Sequence, residues 1–121
     1  MKRLLLVIIF FLVACGNKIH ENIDERMVED TKQVMEIVDK AYKEDREFTD
    51  REQAKLDDYQ LLYGAKEKDG QLTEEESLLL LLVSGDLIDR YDTYSLLNSN
   101  KEFYDITINR INNVIKTGEV K

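Results

Sequence analysis

Thr73-Glu74-Glu75-Glu76-Ser77-Leu78-Leu79-Leu80-Leu81-Leu82-Val83, residues 73–83, is the stretch whose reading decides the fold. Its first four residues form a capping box. The Thr73 hydroxyl accepts the backbone N–H of Glu76, and the Glu76 carboxylate reaches back to the N–H of Thr73. That chemistry starts a helix, and Leu72 ahead of it suits a hydrophobic staple. Six apolar residues then follow without interruption. Six consecutive positions cover every side of a helix, so this one is expected to lie centrally or to be docked on both sides. The run is too short to cross a bilayer, and Asp86 closes it. Ser84-Gly85-Asp86 is expected to break or kink the helix. The pattern resumes with Leu87, Ile88, Tyr91, Tyr94 and Leu97.

The same signals recur on either side. Upstream, Thr49-Asp50-Arg51-Glu52 is a second capping box with Phe48 before it. It predicts a helix to about Tyr63, with Leu56, Tyr59, Leu62 and Tyr63 inward and Gly64 as its stop. Before that, Met27, Val34, Val38 and Ala41, with Val28, Met35 and Tyr42 alongside, form a broad apolar stripe over residues 23–45. Asp24, Glu25, Glu29 and Asp30 crowd its first turns, where the helix dipole favours negative charge. Downstream, Asn98-Ser99-Asn100 reads as a turn and Ser99 with Glu102 as a third capping box. The last helix sets Tyr104, Ile108, Ile111 and Ile115 on one face, with Phe103 and Val114 beside it and Gly118 as the stop. The chain has no proline, and no stretch alternates with period two for long. The expected fold is therefore all-α, a bundle of about four helices, antiparallel where loops are short. Ala41, Asp45, Phe48, Thr49, Asp50 and Glu52 match Ala65, Asp69, Leu72, Thr73, Glu74 and Glu76 at an offset of 24. Shared capping chemistry accounts for most of that match. Two related helical hairpins are the alternative.

The first fifteen residues have a different character. Lys2 and Arg3 precede an unbroken apolar run over residues 4–12, and Leu12-Val13-Ala14-Cys15 follows. A cationic start, a short apolar core and small residues at the cut mark a secretory signal. At about 1.5 Å per helical residue, residues 4–14 span roughly 17 Å, well short of the ~30 Å hydrocarbon layer. The tetrapeptide resembles the lipobox of bacterial lipoproteins. That resemblance implies a diacylglyceryl thioether on Cys15 and cleavage after Ala14. It places the protein in a cell membrane as a lipid-anchored protein on the extracytoplasmic face, or in the outer membrane or periplasm of a double-membrane envelope. Two acyl chains hold stably where one holds only marginally. Cys15 is the only cysteine, so no intrachain disulfide can form, and lipidation accounts for the odd thiol. Residues 16–22 read as a short polar tether, with His20 a solvated linker residue.

Removal of residues 1–14 leaves 107 residues with 15 basic and 25 acidic side chains, enough for one compact domain. A net charge of −10 argues against a nucleic-acid partner and against a domain lying flat on anionic lipid. Residues 21–76 hold 19 acidic and 9 basic side chains, whereas residues 77–121 are nearly balanced. Such a charge-rich face reads first as a solvated face and second as a site for a cationic partner or Ca²⁺.

Within that face, Glu67, Asp69, Gly70, Gln71, Leu72, Thr73 and Glu76 resemble the back of an EF-hand calcium loop, with Ala65 where that family has Asp. The resemblance implies a weak Ca²⁺ site, held by the carboxylates of Glu67, Asp69 and Glu76, the Gln71 carbonyl and Thr73, because a hard cation takes a ring of oxygens. No catalytic constellation is visible. The single histidine lies in the tether, there is no glycine-rich phosphate loop, and paired carboxylates carry no information in so acidic a chain. The remaining candidate is a partner-binding face. Tyrosines at helical spacing line a core edge or an interface, and the outer side of residues 78–83 is the best apolar patch. The residues assigned to it are Leu78, Leu79, Leu82, Tyr91 and Tyr94. The first functional expectation is a lipoprotein that binds another envelope protein or shields the cell surface. It resembles, in size and location only, prophage exclusion or immunity proteins and accessory subunits of envelope machines. A calcium-responsive helical module is the alternative.

Overall fold

The computed structural model describes residues 18–97 and 101–120, and of residues 95–97 the backbone only. The leader, the lipobox, the turn at 98–100 with its Ser99 cap, and the Leu97 side chain lie outside the described residues. In chain order the elements are α1 (Glu25–Lys43), α2 (Asp50–Lys68), α3 (Glu74–Leu80), a π-helical segment (Leu81–Ile88), α4 (Tyr91–Leu97) and α5 (Lys101–Thr117). The fold is a small all-α bundle, as the periodicity predicts, and the described residues contain no strand.

The central element is α3 with its π continuation, which touches α1, α2, α4 and α5. Leu79, Leu80, Leu82 and Val83 are buried and Leu78 is half-buried. Leu81 alone of the six-residue run stands out, 63% exposed. The helix does not break at Ser84-Gly85-Asp86. It widens instead, and the N–H of Asp89 donates to the carbonyl of Ser84, five residues back. The reason lies in the apolar spacing. Leu82 and Leu87, and Val83 and Ile88, are pairs five apart, and all four are buried. On an α-helix such pairs would stand about 140° apart. The wider π turn brings them to one side.

α1 buries Met27, Val28, Val34, Val38 and Ala41, the expected stripe. α2 runs antiparallel to it. Tyr59, at the middle of α2, shares a buried 2.8 Å hydrogen bond with Thr31 in the first half of α1, and the hydroxyl of Tyr63, one turn further on, donates to Asp30. α5 is also antiparallel to α1. The Tyr104 hydroxyl donates to Asp39, near the end of α1, and the N–H of His20 donates to the Ile115 carbonyl at 2.7 Å. The core tyrosines do not leave their hydroxyls to solvent. Tyr91 donates to the Arg46 carbonyl, and Tyr94 to the Asp86 carbonyl. Burial pushes the Tyr59 and Tyr104 hydroxyls above their ordinary range, with Asp39 adding to the effect at Tyr104. Truncating a fully buried residue such as Leu56, Leu79 or Ile111 to Ala would cost about 2–5 kcal/mol.

Three expectations need correction. Gly64 does not end α2, which continues to Lys68. The stop is made by Gly70, at φ +71°, with the N–H of Gln71 donating to the Lys66 carbonyl and that of Gly70 to the Glu67 carbonyl. Only a residue free to adopt positive φ closes a helix this way. Leu62 is not inward but 47% exposed. The third correction concerns the tether, whose last residues belong to the folded domain. Ile19 is half-buried against the core and Ile23 is buried. His20 is half-buried, with its ring 3.0 Å from where a Cβ on Gly118 would sit, and its Nδ1 accepts the N–H of Asn22.

Candidate functional site

The capping box at Thr73 fixes one end of the molecule. The Glu76 carboxylate accepts the N–H of Thr73 on Oε1 and that of Asp24 on Oε2, both at 2.9 Å. One buried carboxylate thereby satisfies backbone donors at the starts of two helices, α3 and α1, where the helix dipoles favour negative charge. The Thr73 hydroxyl accepts from the Glu76 N–H and donates to the Asn22 carbonyl at 2.7 Å. The end of α5 closes in from the side, with Gly118 against His20 and Glu75. Chain entry, the starts of α1 and α3 and the stop of α5 thus form a single end of the bundle.

These bonds bear directly on the EF-hand-like residues. Ala65, Lys66, Glu67 and Lys68 are the last turn of α2 and not a loop, so the first third of a twelve-residue loop is helical. Asp69 sits at the α2 C-cap and Gln71 is exposed. Both Glu76 oxygens and the Thr73 hydroxyl already have backbone partners. Among the described residues no three His, Cys, Asp or Glu side chains gather in a way that could hold a metal ion.

Four of the five residues assigned to a partner face are core. Leu79, Leu82, Tyr91 and Tyr94 are buried, and only Leu78 is half-buried. The interior claims both tyrosines through their rings and hydroxyls. Tyr91 packs on Phe48 with ring centroids 4.3 Å apart, and Tyr94 packs edge-on against Tyr104 at 5.7 Å.

The exposed apolar surface lies one side over. Leu81 is 63% exposed, and Leu61 on α2 is 71% exposed. Between α2 and the α3–π element runs a groove of about 510 Å³, lined by Gln60, Gly64, Glu67, Leu78, Leu81 and Gly85 among others. Gly64 makes the groove. It sits in the interior of α2 with no atom within 4 Å of where its Cβ would be, so its wall is bare backbone. Gly85 on the opposite wall is similarly bare, its missing Cβ 3.8 Å from Leu81 Cδ1. The Gln60 amide spans the two walls, donating to Ser84 Oγ at 2.9 Å and to Asp89 at 3.0 Å. Glu67 is the charged residue of the lining. A groove of about 390 Å³ between the π segment and α5 has a different character: exposed Phe103 lies there with Asp86, Arg90 and Arg110.

Leu61 and Leu81 were not named among the partner-face residues, although Leu81 lies in the 78–83 run, and Gly64 was read as a helix stop. Their signal was present. A six-residue apolar run leaves one side bare in a bundle this small, and a glycine that does not cap a helix marks a place where something approaches closely. No helix among the described residues is long and apolar enough to cross a membrane. No family model, characterised protein or solved structure matched the chain.

Proposed function

We propose that this protein is a lipid-anchored envelope lipoprotein whose helical domain docks another envelope protein through the groove between α2 and the α3–π element. The anchor reading rests on Lys2, Arg3, the apolar run and Leu12-Val13-Ala14-Cys15. The docking reading is carried by one observation: Leu81 stands exposed in an apolar groove whose two walls are thinned by Gly64 and Gly85. Burial of an exposed leucine side chain is worth about 1.5–3 kcal/mol, so Leu81 can anchor a modest interface. Catalysis has no comparable support, because the half-buried His20 ring is occupied with Asn22 and Gly118 at the chain entry.

The test compares the full-length chain with Leu81→Glu and Cys15→Ser. Each is expressed in its native host, crosslinked in cells and purified. Leu81 is exposed, so Leu81→Glu keeps the fold and its thermal midpoint. It should lose a specific crosslinked envelope partner that the parent retains. Cys15→Ser should leave the membrane fraction. Retention of the same partner by Leu81→Glu would refute the docking face, and a native product whose Cys15 carries no lipid would refute the anchor.

A further inference from the structure

We propose that the α2/α3–π groove receives a helix that rises from the same bilayer: the juxtamembrane extension of a membrane-spanning segment in another protein. This deepens the docking reading above and rests on the lipid anchor at Cys15. Its starting point is the shortness of the leash. Ile19 packs on the core, the His20 N–H is bonded to Ile115, and Ile23 is buried. The chain between the lipidated residue and the folded domain is therefore only residues 15–18. At about 3.5 Å per residue it reaches roughly 14 Å at full stretch. The end of the bundle built by Asn22, Asp24, Thr73, Glu76 and Gly118 is held close to the membrane surface.

The groove begins at that end. Ser77 lines it one helical turn past Thr73, and Ser84 lines it near the Gln60 bridge that bounds the other end. From Ser77 to Ser84 is about two turns, or roughly 10 Å. The whole groove thus stands within a few helical turns of the bilayer. Its floor is apolar, with Leu78, Leu80 and Leu81, and its glycine walls admit large side chains. The matching ligand is an amphipathic helix offering apolar residues at i, i+3 or i+4, and i+7 over two turns. Charge decides between sources. A second copy would bring the net charge of −10 of its residues 15–121 to a groove whose one charged lining residue is Glu67, and like charge opposes such pairing. An anionic lipid surface is disfavoured in the same way. A helix leaving the bilayer with basic flanking residues meets both the position and the charge of the site.

The experiment places a photoreactive benzophenone amino acid at Leu81 in the full-length chain, in its native host, with Phe103 as the control. Phe103 is equally exposed but lies in the other groove. Crosslinked peptides are sequenced by mass spectrometry, and the state of Cys15 is read from the same digests. The expected adduct forms from position 81 and not from 103. It maps within about three helical turns of a membrane-spanning segment in a different protein. Gly64→Trp, which fills the groove from a solvent-facing helix position, should cut the adduct at least tenfold without lowering the thermal midpoint. An adduct to a second copy, to lipid, or to a residue remote from any membrane span would overturn the inference. So would the absence of an adduct, an adduct shared with position 103, or one indifferent to Gly64→Trp. An unlipidated Cys15 would instead overturn the anchor on which it rests, so the two failures are told apart.

Discussion

The helix starts at Thr49 and Thr73 carry the same local chemistry, yet their glutamates end in different company. Glu52 accepts the Thr49 N–H and a forked pair of bonds from Arg46, at 2.8 and 3.2 Å, six residues away in the same turn of chain. Glu76 accepts the Thr73 N–H and the N–H of Asp24, a residue 52 positions away at the start of another helix. The first box is closed locally by a side chain and stays in contact with water. The second is buried and joins two helices. A capping box fixes where a helix begins, and its surroundings decide whether it also holds the fold together.

The largest expected effect follows from that difference. Glu76→Ala strands two backbone donors at once and should cost about 3–6 kcal/mol, since each charge-assisted bond contributes roughly 1.5–3. Glu52→Ala should cost about 1 kcal/mol, the ordinary loss of a cap in an exposed setting. Urea denaturation of both variants measures the contrast. Equal losses would mean that the bond to Asp24 adds nothing.

Next in size is a pair of glycines. Gly118, at φ +77°, closes α5 at the same end as Glu76, and a Cβ there would lie 3.0 Å from the His20 ring and from Glu75 Cγ. Gly118→Ala should destabilise by about 1–3 kcal/mol. Gly64→Ala, in open helical surface, should instead stabilise by about 0.5–1 kcal/mol. Opposite shifts in the thermal midpoint are the expected reading. A loss at Gly64 as well would show that α2 is strained at a position that is open to solvent.

These residues also show how far the fold was legible in the sequence. Helix starts were legible because caps are local: Thr49 with Glu52, and Thr73 with Glu76, bond within four residues. The stripe of α1 was legible because period 3.6 is a property of one helix. Gly64 misled because a glycine in a helical pattern marks either a stop or a close approach, and only the left-handed geometry of Gly70 decides between them. The π segment was missed although its cause, apolar pairs five apart at Leu82/Leu87 and Val83/Ile88, was printed in the chain. Docking of Ile19 and His20 was not legible, since their partners, Ile115 and Gly118, lie nearly a hundred residues away. The assigned partner face failed for a related reason. Leu79, Leu82, Tyr91 and Tyr94 share the apolar character of an interface, and which of them face outward depends on helices elsewhere in the chain.

A smaller effect separates the two boxes by pH. Hydrogen bonds from Arg46, with the Thr49 N–H assisting, hold the Glu52 carboxyl at about 2, below its ordinary 4.5. A carboxylate whose folded value is depressed contributes its stability fully above the unfolded value. That contribution fades as pH falls from about 4.5 through about 2. Glu52→Gln should lose that contribution at neutral pH and converge with the parent towards about pH 2, which flattens the acid limb of stability across that window. The change should be modest, because the Arg46 pair is solvent-screened. An acid limb identical in parent and variant would show that the pair contributes nothing in solution.

The finest test of the comparison is one in which nothing should happen. If residues 65–76 were a calcium loop, Ca²⁺ would have to draw Glu76 away from Thr73 and Asp24 and unwind the last turn of α2, where Glu67 sits. A weak extracellular-type site, at roughly 10⁻⁴–10⁻³ M, could not offset the loss of two charge-assisted bonds and a helical turn. Calorimetry with millimolar Ca²⁺ should therefore give no binding heat, and the thermal midpoint should not move. A Ca²⁺-dependent rise in the midpoint that vanishes in Glu76→Gln would break the comparison at its centre. It would mean that the carboxylate joining α1 to α3 can be exchanged between two backbone donors and a cation, and that this end of the bundle changes shape with calcium.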